Sequence, residues 1–271
     1  MRYADFRLRQ DAGIARFAKR ISSSLDRALQ VVLPNVCALC GNMSQQPVCA
    51  GCDDAYWNEP RLRCNVCAVP LARNRRQHAG ASHGMRDAER RCADCVAAPP
   101  PFDATFALAD YRPPLDRLAL GLKFRARLML ATGFGRCLAH RAREAADEPG
   151  ASALPDLIAP VPLAWQRLIE RGHNQAWQIA KPLASALRVR GSATLLRRVV
   201  DTAPQSRLDL DARRQNVASA FQVAASVQDL HVGIVDDVMT TGATLEAVAI
   251  ALKHAGARRV TNFVALRTPK N

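Results

Sequence analysis

Apolar positions recur along the chain with two different periods. Residues 12–33 place Ile14, Phe17, Ile21, Leu25, Leu29 and Val32 at spacings of three and four, which predicts an amphipathic helix with Arg16, Lys19, Arg20 and Arg27 on its opposite face. A membrane-surface helix would share this pattern, but packing against the body of the protein is the preferred reading. Further along, "DATFALADY" predicts a strand or hairpin, and "PPLDRLALGLKF" and "LMLATGFGRCLAHRAREAA" predict helices, the first entered through proline. "DLIAPVPL" (156–163) has the form of a short buried strand, followed by "AWQRLIERGHNQAWQIAKPLASALRV", a loop and a long helix. "HVGIV" (231–235) is another strand, "TLEAVAIALKHAGA" a helix closed by Gly256, and "RVTNFVAL" a final strand. Strands alternating with helices predict an α/β fold: a parallel sheet with right-handed crossovers, flanked by helices.

The region before this pattern has a different composition. Eight of nine cysteines fall in C-x-x-C pairs: "CALC" (Cys37, Cys40), "CAGC" (Cys49, Cys52), "CNVC" (Cys64, Cys67) and "CADC" (Cys92, Cys95), with Cys137 alone. Repeated pairs in a chain without an export signal point to thiolate knuckles around tetrahedral Zn²⁺, two pairs to each of two ions. Redox motifs and iron–sulfur ligation are the competing readings, and a thioredoxin-type motif would occur once, beside a βαβ unit. Sequential pairing gives Cys37, Cys40, Cys49, Cys52 and Cys64, Cys67, Cys92, Cys95; interleaved pairing stays open on spacing alone. The stretch between Cys67 and Cys92, with His78 and His83, is Arg-rich and without periodicity, and predicts a loop. "AAPPPFD" (97–103) has the composition of a linker. The predicted organisation is a helical segment (1–35), a small double zinc-ribbon domain (36–98) and an α/β domain (99–271).

Composition adds three constraints. With 271 residues, 49% of them apolar, the chain can bury a substantial core. Its apolar runs, such as Ala247 to Leu252, fall far short of the roughly 18 residues that span a bilayer. Charges interrupt the opening "MRYADFRLRQDAGIARF", so a signal peptide is not expected and a cytoplasmic location is. The formal charge is +14, which becomes 14 − 8 + 4, about +10, if eight thiolates hold two Zn²⁺. Eight Arg face three acids between Arg61 and Asp94, and eight Lys or Arg face Asp116 alone between residues 112 and 143. An anionic partner fits this balance, as does a solvated basic surface.

The most specific stretch is "VGIVDDVMTTGATLEAV", residues 232–248. A buried strand ends in two carboxylates, Asp236 and Asp237, then passes through Val238, Met239, Thr240, Thr241, Gly242, Ala243 and Thr244 into a helix. Ligands of open α/β sheets bind beyond the carboxyl ends of strands, where a helix N-terminus offers N–H groups and a positive dipole end. Gly242 permits close backbone approach, and the threonines add hydroxyl donors. Carboxylates one step back suit vicinal sugar hydroxyls, so the pattern describes a ribose 5-phosphate. A P-loop is excluded, since no lysine follows the glycine and the spacing differs. A receiver domain would spread its acids over several strands.

This stretch resembles the phosphoribosyl-diphosphate (PRPP) signature of type I phosphoribosyltransferases. "YRPPLDRLALGLKF", "DLIAPVPLAWQRLIERGHNQA" and "LLRRVVDTAPQSRLDLDARRQNVASAF" are similar to the remaining blocks of the ComF family (competence protein F), whose members carry a C-x-x-C zinc module before such a domain. The resemblance covers residues 36 to about 268; His173 departs from it, standing where the family usually has Phe. It implies a type I phosphoribosyltransferase fold preceded by the double zinc ribbon. It also implies that Asp236 and Asp237 hold the ribose hydroxyls and are the catalytic carboxylates, that Thr240, Thr241, Gly242 and Thr244 hold the 5-phosphate, and that Val238, Met239 and Ala243 complete the PRPP-binding stretch. Arg167 and Arg171 would lie near the diphosphate, and a flap would contribute Gln205, Arg207, Arg213 and Asn216. Two structural Zn²⁺, and Mg²⁺ with PRPP, are the implied cofactors.

Phosphoribosyl transfer builds positive charge on the sugar and negative charge on departing diphosphate, so the protein's task is positioning and charge stabilisation. The acceptor is not legible. Two classes of function stay open: a pentosyl-transferring glycosyltransferase acting on a nucleobase or other small molecule, and a PRPP-binding protein that handles single-stranded DNA in natural competence, with other DNA-uptake proteins as partners. Aromatic content is only 5%, so DNA binding would rest on Arg–phosphate contacts more than on base stacking.

Overall fold

The computed structural model describes residues 35–57, 62–71, 90–124, 128–148, 153–199 and 220–269. The expected helix over 12–33, the loop with His78 and His83, and the flap residues Gln205, Arg207, Arg213 and Asn216 lie outside them. The chain divides into two compact units, one ending at Asp53 and one beginning at Asp54.

In the first unit, β1 (Asn35–Val36) pairs antiparallel with β2 (Met43–Ser44). The turn between them is a knuckle: the Cys37 amide donates to Asn42 O at 2.8 Å, and Gly41, at φ 80°, donates to Cys37 O at 3.0 Å. Its partner pair is set by the short helix α1 (Ala50–Cys52), with Cys49 at its N-cap.

The second unit opens with another knuckle, Cys64–Cys67, in which Ala68 donates to Cys64 O at 2.8 Å and Cys64 to Val69 O at 2.9 Å. Helix α2 (Ala93–Ala97) carries Cys95, with Cys92 as its N-cap. Then come β3 (Ala104–Asp110), α3 (Asp116–Phe124), α4 (Leu128–Ala146), β4 (Leu157–Pro160), α5 (Trp165–Arg171), α6 (Gln175–Leu187), β5 (Arg190–Gly191), β6 (Leu196–Arg198), β7 (Phe221–Val223), β8 (His231–Met239), α7 (Ala243–His254) and β9 (Arg259–Arg267). The main sheet has the order β3-β9-β8-β4-β5, with every neighbouring pair parallel. β6 and β7 form a separate antiparallel pair on either side of residues 200–219.

The expected α/β pattern holds, with three differences. The region after β4 is two helices, not a loop and one helix, because Gly172 at φ 69° ends α5. Asn174 then caps α6 through Trp177 N at 3.2 Å and ties it to β4 by donating to Val161 O at 3.0 Å. β8 continues to Met239 rather than stopping at Val235, since β9 pairs with it as far as Met239↔Arg267. Finally, the 97–103 segment is docked rather than free: Phe102 is buried, and Asp103 accepts from Val260 N at 2.7 Å.

One hydrophobic cluster joins Val232, Ile234 and Val260 of the sheet to Leu245, Val248 and Leu252 of α7, and it also contains Cys64, Val66, Cys67 and Cys95. The second knuckle is thus part of the sheet's core. It also covers the outer edge of β3, where Thr105 N donates to Asn65 O at 3.1 Å. On helix α4, Gly135 lets α6 approach closely: a Cβ there would stand 2.6 Å from Pro182 Cγ.

At the start of β8, buried His231 packs its Nε2 against Thr261 Oγ1 at 2.8 Å. Burial, reinforced by the Arg259 cation, lowers its pKa from 6.5 to about 4. The unfolded chain therefore binds the proton more readily, so His231 contributes fully above about pH 6.5 and its contribution fades as pH falls towards 4. The loss should be on the order of 3 kcal/mol. His231→Gln is expected to flatten the acid limb of a stability-versus-pH curve measured by urea unfolding.

Candidate functional site

The site is built at the carboxyl ends of β4 and β8. β8 delivers Asp236 and Asp237 while still paired to β9, with Asp236 opposite Val264. Strand alternation sends the two side chains to opposite faces of the sheet. Asp236 is half-buried, and its Oδ1 accepts from Asp237 N at 2.8 Å; Asp237 is only 4% exposed. The sequence suggested one strand-end setting for both acids, and the structure gives them different ones.

After Met239 the chain turns through Thr240 and Thr241 to Gly242, the N-cap of α7, at φ 98°. An L side chain is strained there, and its Cβ would meet Met239 Cε at 2.8 Å. Thr240, Thr241, Ala243 and Thr244 are exposed, and Thr241 Oγ1 accepts from Ala243 N at 3.3 Å. The first turn of this 12-residue helix presents N–H groups and the positive dipole end towards the same space. Arg167 lies exposed on α5, and Arg171 is half-buried at its C-terminus. His173 places Nδ1 2.8 Å from Arg171 O and Nε2 3.1 Å from Leu122 O, linking the α5–α6 turn to α3.

Arg267 was not singled out from the sequence. It ends β9, is 1% exposed, and donates from Nε to Cys67 O at 2.8 Å. Its Nη1 donates to Met239 O at 3.1 Å, to Thr268 O at 2.8 Å and to Thr240 O. One guanidinium thereby fastens the second cysteine knuckle to the start of the β8–α7 turn. Beside it, buried Asp110 sits 2.8 Å from the Arg63 guanidinium, which also donates to Ala68 O at 3.1 Å. The only sequence signal was a charge closing the apolar run "VTNFVALR".

The cysteines group sequentially. Cys37, Cys40, Cys49 and Cys52 form one set and Cys64, Cys67, Cys92 and Cys95 the other, with the sulfurs of each set within 4.8 Å of one another. Cys40 and Cys49 Sγ are 3.7 Å apart, and Cys67 and Cys92 Sγ 3.6 Å. Four sulfurs about 2.3 Å from a tetrahedral ion would stand about 3.8 Å apart, so each set has the donors and spacing to hold a metal ion. A hydrogen bond from the Cys67 thiol, outweighing burial, draws Cys64 down to about 4. Burial pushes Cys95 up to about 12. Further thiolates in such a set need a cation to form.

A family model for the phosphoribosyl transferase domain matches residues 174–270, which include the β8–α7 turn. The chain is 33% identical over 241 residues to DNA utilization protein YhgH of Salmonella typhimurium, covering 88% of this chain and 99% of that one. The Escherichia coli K12 protein of the same name is 32% identical over the same coverage. Competence protein F of Haemophilus influenzae is 31% identical over 174 residues, 63% of this chain and 76% of its own. The chain belongs to the ComF family. In this ComF-family chain the phosphoribosyltransferase-type sheet and the two tetracysteine sets are therefore both in place. Among the described residues, no helix is long and apolar enough to cross a membrane.

Proposed function

We propose that this protein binds PRPP with Mg²⁺ at the β8–α7 turn, carries one structural Zn²⁺ in each cysteine set, and engages single-stranded DNA in natural competence. The observation that carries the reading is the Thr240–Thr244 turn: exposed hydroxyls, a left-handed Gly242 and a helix N-terminus converge beside Asp236. In this reading Thr240, Thr241, Gly242 and Thr244 hold the 5-phosphate, Asp236 accepts from the ribose hydroxyls, and Asp237 is the second carboxylate, on the buried side. Arg167 and Arg171 approach the diphosphate, and Gln205, Arg207, Arg213 and Asn216, which lie outside the described residues, contribute further ligand contacts. Mg²⁺ supplies charge neutralisation on the diphosphate. Carboxylates near the ring favour positive charge at C1 as the diphosphate leaves, and no side chain need act as nucleophile.

The soft, all-thiolate donor sets favour zinc over magnesium or calcium. The DNA role is supported by the names of the relatives and by the basic surface, where Arg112, Arg117, Arg136 and Arg143 are exposed. Arg141, counted from the sequence in the same basic stretch, is instead turned inward against β3.

DNA affinity should fall steeply with salt, by a slope of about −0.7 in log K against log salt for each phosphate neutralised. Replacing Arg73, Arg75 and Arg76, which lie outside the described residues, by Gln should weaken oligonucleotide binding and spare PRPP binding. Weak, salt-insensitive DNA binding together with PRPP-dependent turnover of a nucleobase panel would replace this reading with an ordinary small-molecule phosphoribosyltransferase.

A further inference from the structure

The two carbonyls that close the second cysteine knuckle both accept from arginines. Ala68, buried and at φ 56°, accepts from Arg63 Nη1 at 3.1 Å, and Cys67 accepts from Arg267 Nε at 2.8 Å. At the other end of the same guanidinium, Nη1 donates to Met239 O and Thr240 O, the carbonyls that lead into Thr241 and Gly242. Strand register puts Arg267 between these segments, opposite Asp110 on β3 and Met239 on β8. Cys67 and Met239 are buried, so no water replaces a lost donor, and neither segment can shift without leaving polar groups unsatisfied.

The second cysteine set is also enclosed. Cys64, Cys67 and Cys95 are buried and Cys92 is half-buried, whereas Cys40 of the first set is exposed. A metal ion held by Cys64, Cys67, Cys92 and Cys95 therefore leaves only when the knuckle opens, and opening it pulls the Cys67 carbonyl off Arg267. A ligand seated on residues 240–244 fixes the other carbonyls of the same guanidinium and raises the cost of that motion. The first set lies in the unit that ends at Asp53, and the β8–α7 turn in the other.

We infer that Arg267 is a positioning residue that links two sites: PRPP at the β8–α7 turn holds the metal ion in the second cysteine set, and that ion in return keeps the turn in its PRPP-binding form. Such a link acts equally in both directions. It rests on the proposed PRPP site and adds a coupling that direct contacts at the turn would not produce.

Release of zinc to a zinc-selective chelator that leaves Mg²⁺ in place tests the link, in the full-length Cys40→Ser protein so that the second set alone is read. Saturating PRPP with Mg²⁺ should slow release by about fivefold or more, the low end of typical coupling between sites. Arg267→Lys in the same background should show less than about twofold slowing at saturating PRPP, because a point charge does not span both segments. If Arg267 only stabilised the fold, the slowing by PRPP would persist in the lysine variant. Zinc leaving at the same rate with PRPP bound, or full protection in the lysine variant, overturns the link and leaves the PRPP site standing; no heat of PRPP binding overturns both. If the lysine variant fails to fold, hydrogen exchange of the wild-type protein decides: PRPP should slow the amides of residues 64–71 and leave those of α4 unchanged. Equal slowing in both segments, or none at 64–71, overturns the link.

Discussion

Replacing Cys67 by Ser is expected to remove one of two bound zinc ions and to abolish cooperative folding of the α/β unit. Cys67 sits in the same hydrophobic cluster as Val232, Ile234 and α7, and its carbonyl accepts the Nε–H of buried Arg267. Structural zinc contributes about 10–16 kcal/mol in isolated zinc-finger peptides, as much as or more than the whole stability of a typical domain. The first set makes a useful contrast, because its four cysteines lie in the unit that ends at Asp53. Cys40→Ser should remove one zinc as well, with the structural loss centred on residues 37–52. Cys137→Ser should leave two. Metal content by elemental analysis, combined with hydrogen exchange across 232–267, separates these outcomes; iron, or no metal, in the wild-type protein would refute the zinc assignment.

Arg267→Met is expected to lower stability by about 3–5 kcal/mol, because it removes the donor that four buried or half-buried carbonyls share and leaves Asp110 with less positive charge nearby. Arg267→Lys should recover part of the loss. A lysine brings a point charge without the planar fork needed to donate to Cys67 and Met239 from opposite sides. Urea unfolding measures the cost. Faster amide exchange at residues 239–244 in the lysine variant would show that the guanidinium also holds the turn. A loss under 1 kcal/mol for the methionine variant would mean that the buried charge adds little net stability.

Local patterns in the sequence carry much of this fold. The period of β3, α4, α7 and β9 is visible because each buries a continuous face, and the eight paired cysteines mark the donors while leaving sequential and interleaved pairing open until the fold groups them sequentially. What escaped depended on partners distant in sequence. β8 looked as though it ended at Val235 because carboxylates follow, yet pairing with β9 extends it to Met239 and buries Asp237. The 97–103 segment looked like a linker from its prolines, but Phe102 and Asp103 dock on the sheet. The role of Arg267 needed three segments brought together, from positions 67, 239 and 267. At the candidate site the strand–turn–helix form of residues 232–248 was legible, whereas the unequal burial of the two acids was not.

That difference chooses the variant for the central test. Changing both acids would mix a binding effect with the cost of disturbing a buried carboxylate, so Asp236→Asn alone is the cleaner probe. Calorimetric titration of PRPP with Mg²⁺ into wild type and Asp236→Asn, with thermal melting recorded for both, puts the claim to direct trial. The expected result is one PRPP per chain for wild type, at least tenfold weaker binding for the variant, and melting temperatures that agree. Equal PRPP affinity in the two proteins, or no PRPP binding by wild type, would contradict it.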